Sequence, residues 1–493
     1  MKNSTRTPKL FKGLKMMLGL AALGLVILTT SCGDDDGGGG GSVSGDDIVT
    51  IASGSDDLNS LVAALGRFPD LVSTLSDENG TFTVFAPTDG AFTALLDATG
   101  QTSLDDLPDN VLRRVLEYHV VADAELLSTT LTDGATATTV LGEAVSVGVD
   151  GSDVTINGAN VTTADIEATN GIIHIIDGIL VPSLEASILN TVVEPAYFNN
   201  QFTVLTEAVV TAGLLETLID TDEEYTVFAP TNDAFEAAGI TSLDGLTAND
   251  LSPILLYHVL GEEVLAADLP ETGSAIESLN GDFYLSINTN GVYINGLTQV
   301  TATDITQDNG VVHVIDRTLI PASDDVVELA VAASTGDNPE FTQLVAALTA
   351  VENDPEVANL ITVLSGDGPF TVFAPTDAGF QALYDLVGDI DEDEDNDIND
   401  LVAAAGLDVI ATVLQYHVVA DRVFSTDIPN LLGEETSVSI GAVAGGNWTL
   451  NSNLTITDVD GALELGSVDA TIVGTDLLGT NGVIHTIDQV ILP

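Results

Sequence analysis

The chain has almost no cysteine and very little positive charge. Its 493 residues include one Cys and ten Lys or Arg residues against 76 Asp or Glu residues, for a formal net charge of −66. A single cysteine excludes an internal disulfide framework. A strongly negative surface repels nucleic acid, so nucleic acid is excluded as a partner. The acidic excess either adapts the surface to a salty medium or forms a dedicated binding surface.

Sequence motifs of the common enzyme classes are also missing. The chain has no Gly-x-Ser-x-Gly elbow, no Walker loop, no His-Glu-x-x-His and no Gly-x-Gly-x-x-Gly after a predicted strand. These absences predict that the protein is not an enzyme. Carboxylates are so numerous that a glycosidase pair stays open as an alternative.

Half of the basic residues lie within the first fifteen positions. They are followed by apolar or small residues at 16–30 and then by Ser31 and Cys32. The apolar run is short for a membrane span and typical of a signal peptide. A lone Cys at its end resembles a bacterial lipoprotein signal, although Thr29 stands where most such signals have Leu. An ordinary cleaved signal peptide with an incidental cysteine is the alternative.

We therefore expect residues 1–31 to be a lipoprotein signal peptide and Cys32 to carry the lipid. Residues 32–45 are acidic and Gly-rich and should form a flexible tether. Acidic residues directly after the lipidated Cys resemble the surface-export signal of Bacteroidetes lipoproteins. The expected location is the outer membrane facing the cell surface, with a periplasm-facing position as the alternative. The lipid would be the only contact with the membrane.

The most informative feature present is a block that occurs three times. Phe-Ala-Pro-Thr starts at Phe85, Phe228 and Phe373, a Tyr-His pair follows at Tyr118, Tyr257 and Tyr416, and an Asn-Gly step opens the end of each unit at Asn170, Asn309 and Asn481. A period near 145 residues is that of a globular domain rather than a solenoid repeat. We expect domains at 46–182, 185–321 and 325–493, the last with an acidic insertion at 389–400.

Local patterns predict an α+β fold for each unit. Apolar residues at three- and four-residue spacing between Leu58 and Leu75, interrupted near Pro69, indicate helices. Residues 81–86 read as a strand that Pro87 ends, and Thr88 is placed to cap the next helix. A second helix covers 111–118. Short antiparallel strands follow, and the apolar closing strand at 172–180 should be central in the sheet.

These motifs together resemble the fasciclin-like domain family. The Phe-Ala-Pro-Thr strand, the Tyr-His pair and the closing Asn-Gly region are similar to its three hallmark regions, in the same order in all three units. The resemblance implies three tandem domains, each a β-sandwich-like wedge of short strands with a helical layer. It also implies a role in extracellular adhesion or matrix attachment.

The resemblance also implies candidate adhesion residues. In animal matrix members of the family, the Tyr-His region and an Asp-Ile element before the closing strand are tied to adhesion. The matching residues here are Tyr118, His119, Asp165, Ile166, Tyr257, His258, Asp304, Ile305, Tyr416, His417 and, in a departed version, Asp476 and Leu477. Core packing is the alternative for the Tyr-His pairs. All six histidines lie at two positions that recur in each unit. Each pair is either a metal site or an acid/base pair, or its histidines are structural residues.

The acidic insertion is a weak calcium candidate. Asp occupies positions 1, 3, 5, 7, 9 and 12 of a twelve-residue stretch, at Asp389, Asp391, Asp393, Asp395, Asp397 and Asp400. That spacing imitates a calcium loop, but Glu394 stands where the turn needs Gly. A solvated acidic loop is the alternative, and no other cofactor is expected.

Three functions follow from these observations. The first is a lipid-anchored surface adhesion protein that contacts extracellular matrix, glycan or neighbouring cells through repeated domains. Repetition raises avidity even where each contact is weak. The second is a surface or periplasmic module that binds a carbohydrate or another small ligand. The third is a hydrolase or a metal-buffering protein that uses the acidic surface.

Overall fold

A computed structural model of the chain describes residues 45–335, 338–353, 359–388, 397–428, 437–442, 447–451, 454–458 and 469–492. The predicted signal peptide, Cys32 and all but the last residue of the predicted tether lie outside these residues. The remaining chain, Gly45–Pro493, forms one compact unit.

The first domain begins with three helices and ends with a run of strands. Its helices are α1 (Ile48–Ser53), α2 (Asn59–Gly66), α3 (Pro69–Leu75), α4 (Asp89–Ala98) and α5 (Asp109–Tyr118). Its strands are β1 (Phe82–Pro87), β2 (Val120–Ala122), β3 (Thr136–Thr138), β4 (Ala144–Asp150), β5 (Asp153–Ile156), β6 (Ala159–Ala168) and β7 (Gly171–Ile176). Short 3₁₀ turns lie at Leu104–Asp106 and Ser128–Thr130.

The second domain repeats this order. Its helices are α6 (Ser183–Ile188), α7 (Glu194–Tyr197), α8 (Thr203–Ala212), α9 (Leu215–Leu218), α10 (Asn232–Ala237) and α11 (Ala248–Tyr257), with a 3₁₀ turn at Asn200–Phe202. Its strands are β8 (Tyr225–Pro230), β9 (Val259–Leu260), β10 (Ala275–Ser278), β11 (Gly281–Asn288), β12 (Gly291–Ile294), β13 (Thr298–Gln307) and β14 (Gly310–Ile315).

The third domain has three helices between its first strand and its Tyr-His pair, where the other two domains have two. Its helices are α12 (Val326–Ala333), α13 (Thr342–Glu352), α14 (Leu360–Leu364), α15 (Asp377–Val387), α16 (Ile398–Ala405) and α17 (Leu407–Tyr416), with a 3₁₀ turn at Ser425–Asp427. Its strands are β15 (Phe370–Pro375), β16 (Val418–Val419), β17 (Ser437–Gly441), β18 (Asn447–Asn451), β19 (Thr455–Asp458), β20 (Ala470–Gly479) and β21 (Gly482–Ile487).

In each domain a Pro-Thr pair ends the first strand and begins the helix that follows it. Pro87 ends β1, and the Thr88 hydroxyl accepts a hydrogen bond from Ala91 N at 3.2 Å, which caps α4. Thr231 and Thr376 cap α10 and α15 in the same way. The predicted cap is therefore confirmed in all three domains.

Each domain has a seven-stranded sheet with the closing strand inside it. In the first domain the order is β2-β1-β7-β6-β5-β4-β3, and the other two domains have the equivalent order. Strand β7 pairs with β1 in parallel and with β6 antiparallel. The predicted central position of the closing strand and the α+β class are therefore confirmed.

Two apolar cores lie on opposite faces of the central strands. Val84 and Ala86 point to the core under the helices, whereas Phe85 between them points to a second core enclosed by the strand meander. This alternation is the two-residue period of a strand. The core under the helices runs without a break from the first domain into the second. The third domain has a separate one.

A buried asparagine joins the two ends of each domain. Asn170 Oδ1 accepts from Ile48 N at 3.0 Å, at the start of α1, and its Nδ2 donates to Leu75 O at 2.7 Å, at the end of α3. Asn309 and Asn481 make the equivalent bonds. Gly171 follows at φ +149°, where a Cβ would lie 1.9 Å from Phe82 O, so glycine is required there.

A buried ion pair fixes the junction between the first and second domains. Arg114 on α5 donates from Nε to Glu185 Oε1 on α6 at 2.6 Å, and Tyr197 donates its hydroxyl to the same oxygen at 3.2 Å. The Glu185 side chain is fully buried, and Arg114 keeps a third of its side chain exposed. Asn200 adds a hydrogen bond to Asp105 O at 2.7 Å.

The junction between the second and third domains is built on strand β11. The Arg422 guanidinium lies 4.1 Å from the centre of the Tyr284 ring, a cation–π contact. Asn288 Nδ2 donates to Thr426 O at 2.8 Å. Among the described residues, four buried side-chain atoms at this junction have no hydrogen-bond partner: Ser286 Oγ, Arg422 Nε, Thr426 Oγ1 and Asp427 Oδ1.

No single helix in the described ranges is long and apolar enough to cross a membrane. Helices α16 and α17 reach the required length and composition only when counted together, across a bend of 110°.

Candidate functional sites

The Tyr-His pairs lie in the interior of each domain. Tyr118 is 4% exposed; its hydroxyl donates to Ala144 O at 3.0 Å and accepts from Asn157 Nδ2 at 2.9 Å. His119 is 2% exposed, and both of its ring nitrogens have backbone partners, Val115 O at 2.7 Å and Leu180 N at 2.9 Å. These side chains join α5 to the strands and present no surface to a partner.

The other two pairs repeat this arrangement. Tyr257, His258, Tyr416 and His417 are all buried. Burial lowers the pKa of His119, His258 and His417 to about 4, so these rings are neutral at neutral pH. Adhesion through the Tyr-His pairs stays a prediction, and it would require the domain core to open.

The histidines of the closing strands hold the Asp-Ile elements in place. Asp165 N donates to His174 Nδ1 at 3.3 Å, so the proton of that ring is on Nε2, which donates to Leu126 O at 2.7 Å. His313 and His485 make the same two contacts. Both ring nitrogens of each of these histidines thus have a backbone atom as their hydrogen-bond partner. No group of three or more His, Cys, Asp or Glu side chains in the described ranges could hold a metal ion.

The three Asp residues of the Asp-Ile elements share one strained conformation. Asp165, Asp304 and Asp476 have φ near +60°, within a β-bulge of the strand before the closing strand. Asp tolerates this left-handed region better than most residues. Hydrogen bonds from the Ser128 hydroxyl and backbone N lower the pKa of Asp165.

The surroundings of these Asp residues differ from domain to domain. Asp165 is half-buried and Asp304 is exposed, whereas Asp476 is buried beneath the second domain. A Cβ on Gly296 of that domain would lie 2.7 Å from Asp476 Cγ. Ile166 and Ile305 are half-buried, and Leu477 is 43% exposed. Asp304 is therefore the most accessible carboxylate of the three.

Only two Asp residues of the acidic insertion lie among the described residues. Asp397 caps helix α16 and accepts from Asn399 N at 2.7 Å. Asp400 is buried and accepts from Asp397 N at 3.1 Å. Asp389, Asp391, Asp393 and Asp395 lie outside the described residues. Calcium binding by this stretch stays a prediction.

A cleft that the motifs did not indicate lies between the first and second domains. Its volume is about 550 Å³, with Asp97 to Gln101 at the end of α4 on one side and β8, β13 and β14 of the second domain on the other. Gln101, Gln201 and Gln307 line it, and Ile305 and Ala302 belong to its floor. Among its lining residues two are acidic, Asp97 and Glu194, and none is basic.

Comparison with known proteins matches all three units to one family. The model of the fasciclin domain matches residues 56–182, 200–321 and 339–493. The transforming growth factor-beta-induced protein ig-h3 of Sus scrofa is 30% identical over 453 residues, which are 90% of this chain and 57% of that protein. Periostin of Homo sapiens is 25% identical over 465 residues, 91% of this chain and 48% of that protein. The chain thus spans about half the length of these relatives.

Among solved structures, a FAS1 domain pair from the insect cell adhesion molecule Fasciclin I is similar. It is 18% identical with a TM-score of 0.28, and the match covers 59% of this chain and 97% of that one.

Proposed function

This chain belongs to the fasciclin domain family, and from that membership we propose that it is a lipid-anchored adhesion protein of the cell surface. Family membership supports the general class, since adhesion is the role that the resemblance implied. The finer proposal is that Cys32 ties the chain to the outer membrane and that the three domains contact extracellular matrix, glycan or neighbouring cells together.

The observation that carries this proposal is the repetition of one domain within one compact unit. Three domains held at fixed junctions present their surfaces at fixed spacing. A second contact then forms at a high effective concentration, so weak individual contacts combine into firm attachment. An active site gains nothing comparable from tandem copies, which favours binding over catalysis.

Asp304 is the residue we assign to a direct contact. It lies at an exposed bulge, and its carboxylate accepts only one described hydrogen bond, from Ala266 N at 2.8 Å. Its equivalents are more engaged, because Asp165 and Asp476 each accept from both the backbone N and the hydroxyl of a serine.

The test measures attachment of cells that carry the full-length chain to a matrix-coated surface under flow. We expect Asp304→Asn to reduce attachment several-fold, since it removes the charge while Asn still tolerates φ near +60°. Asp308→Asn is the matched control, because Asp308 is also exposed and lies in the turn that follows β13, four residues after Asp304. Equal attachment of wild type and Asp304→Asn would refute the assignment.

The location is tested separately by protease treatment of intact cells. The proposal expects the domains to be digested while periplasmic markers stay intact. Protection of the domains would place them in the periplasm and remove the basis for adhesion.

The second candidate, a carbohydrate-binding module, is favoured by the cleft between the first and second domains. It differs from adhesion in needing one ligand site rather than several contacts.

A further inference from the structure

The cleft between the first and second domains concentrates glutamine in a chain that has little of it. The whole chain contains eight glutamines. Three of them, Gln101, Gln201 and Gln307, line this one cleft. Gln101 comes from the first domain and the other two from the second, so the cluster forms only when the two domains are joined. Such clustering of uncharged amides in a highly acidic protein requires an explanation.

Comparison of the repeats shows that two of these amides are special to the second domain. Gln201 precedes the buried Phe202; the residues before the equivalent Leu58 and Phe341 are Asp57 and Glu340. Gln307 lies three residues after the Asp of the β-bulge, and the equivalent positions hold Ala168 in the first domain and Gly479 in the third. The amides therefore stand where the other domains have acidic or small residues, and in the second domain the end of α4 faces them across the cleft.

The amides are available for a ligand. No hydrogen bond within the described part of the chain involves the side chains of Gln201 and Gln307, and Gln101 Nε2 donates to Thr99 O at 3.0 Å while its Oε1 stays free. Each amide offers both donors and acceptors without charge. Between them, Ala302, Ile305 and Val314 of the sheet form an apolar floor.

The chemistry of this lining selects the ligand. An anionic ligand is excluded, because the cleft contains Asp97 and Glu194 and no Lys or Arg in a strongly negative chain. Uncharged amides around an apolar floor suit a ligand with many hydroxyl groups and a flat apolar face. We propose that this cleft binds a neutral saccharide, with the amides bonding hydroxyl groups and the sugar ring lying on the floor of β13 and β14.

This inference deepens the proposed function, because it names the ligand class at one surface of the adhesive unit, and it rests on that function only for access to external glycans. An extended polypeptide is the competing class of ligand. It would also fit a cleft beside a sheet, and the test below separates the two.

The test is calorimetric titration of the full-length chain with cellohexaose, xylohexaose, mannohexaose and N-acetylchitohexaose, with hexagalacturonic acid as the anionic control. We expect at least one neutral saccharide to bind and the anionic one not to bind. Ala302→Trp, which fills the floor of the cleft, should weaken binding by at least about 10-fold, or 1.4 kcal/mol. Thr163→Trp is its matched control, since Thr163 is the equivalent exposed position in the first domain, away from the cleft.

A second variant keeps the test valid if Ala302→Trp disturbs folding. Combined Gln201→Ala and Gln307→Ala removes two amides without adding bulk and should weaken binding about 10-fold, since each hydrogen bond contributes on the order of a few-fold in affinity. Circular dichroism and thermal unfolding of each variant verify the fold.

Several outcomes would overturn the proposal. The first is that no neutral saccharide binds, and the second is that Ala302→Trp and Thr163→Trp have equal effects. Gelatin is titrated in parallel as an extended polypeptide. If gelatin binds, Ala302→Trp abolishes that binding and no saccharide binds, the cleft is assigned to a polypeptide. Flow attachment of the same variants separates this proposal from adhesion. Attachment without saccharide binding refutes only the cleft assignment, whereas saccharide binding without attachment refutes only adhesion.

Discussion

The two junctions between the domains differ in how they are stabilised. Between the first and second domains the apolar core is continuous, and the buried Glu185 has a guanidinium partner in Arg114. Between the second and third domains the contact runs over strand β11, and four buried polar side-chain atoms there lack partners among the residues that the structure describes. A buried polar group without a partner costs free energy, so the second junction should be the weaker one. The same domain is therefore joined to its neighbours through two different kinds of contact.

The largest expected effect is a loss of stability at acid pH that comes from buried histidines in the domain interiors. It determines the pH range in which the two junctions can be compared. The pKa of His119, His258 and His417 is about 4 in the folded chain, below the ordinary value of 6.5. Between these values the unfolded chain binds protons that the folded one does not. The stability they contribute is complete above pH 6.5 and is lost as pH falls towards 4, about 3 kcal/mol for each histidine.

An NMR titration of the histidine rings between pH 4 and 8 checks this prediction. The three rings should show no titration above pH 5. Titration of any of them near pH 6.5 would contradict it. Because the effect is common to all three domains, differences between the junctions are best measured above pH 6.5.

The next effect tests the first junction. Arg114→Met leaves the buried Glu185 without its guanidinium partner and should lower the free energy of unfolding by about 2 kcal/mol, less than for a fully buried pair because Arg114 is partly exposed. Urea unfolding at pH 7.5 measures it. Arg113→Met is the control, since Arg113 is itself partly exposed and its partners are the exposed Asp70, Glu117 of the same helix and the Phe68 ring, so we expect a smaller loss than for Arg114→Met. Similar losses in both variants would show that the ion pair does not fix this junction.

The smallest effect tests the second junction and has the opposite sign. Burial raises the pKa of Asp427, and Ser286 Oγ lies near its carboxylate but outside hydrogen-bond geometry. The stability linked to this group is complete below pH 3.8 and is lost as pH rises through its folded pKa. Asp427→Asn removes the buried charge and can donate to Ser286, so at pH 7.5 unfolding should require about 1 kcal/mol more.

Urea unfolding of Asp427→Asn beside Asp421→Asn measures this change, because Asp421 is an exposed neighbour whose charge is the smallest of the causes that act on the pKa of Asp427. A loss of stability in Asp427→Asn would mean that the second junction depends on that carboxylate and is not weakened by it.

Much of each domain could be predicted from local sequence. The cap at Thr88, the start of α3 at Pro69 and the central closing strand follow from residue chemistry that acts over a few positions. The repetition strengthened these predictions, since each pattern appeared three times.

The junctions and the cleft could not be predicted in this way, because the repeats look alike while their neighbours differ. Asp165, Asp304 and Asp476 share one motif, yet only Asp476 is covered by another domain. Asn170 was recognisable as a turn residue, but its bond to Ile48 spans 122 positions and has no local signal. The cleft did have a signal in the sequence, because Gln201 and Gln307 stand at positions where the other two domains have acidic or small residues.

The asparagine that joins the ends of each domain has a consequence for how such a chain arises. Since Asn170 fastens the first helix to the final hairpin, the fold is closed by its own segment, and in the described part of the chain each sheet takes its strands from one domain. Duplicating that stretch of a gene would add a finished module each time. Later substitutions at the seams could then tune stiffness and specificity while the interiors stayed unchanged.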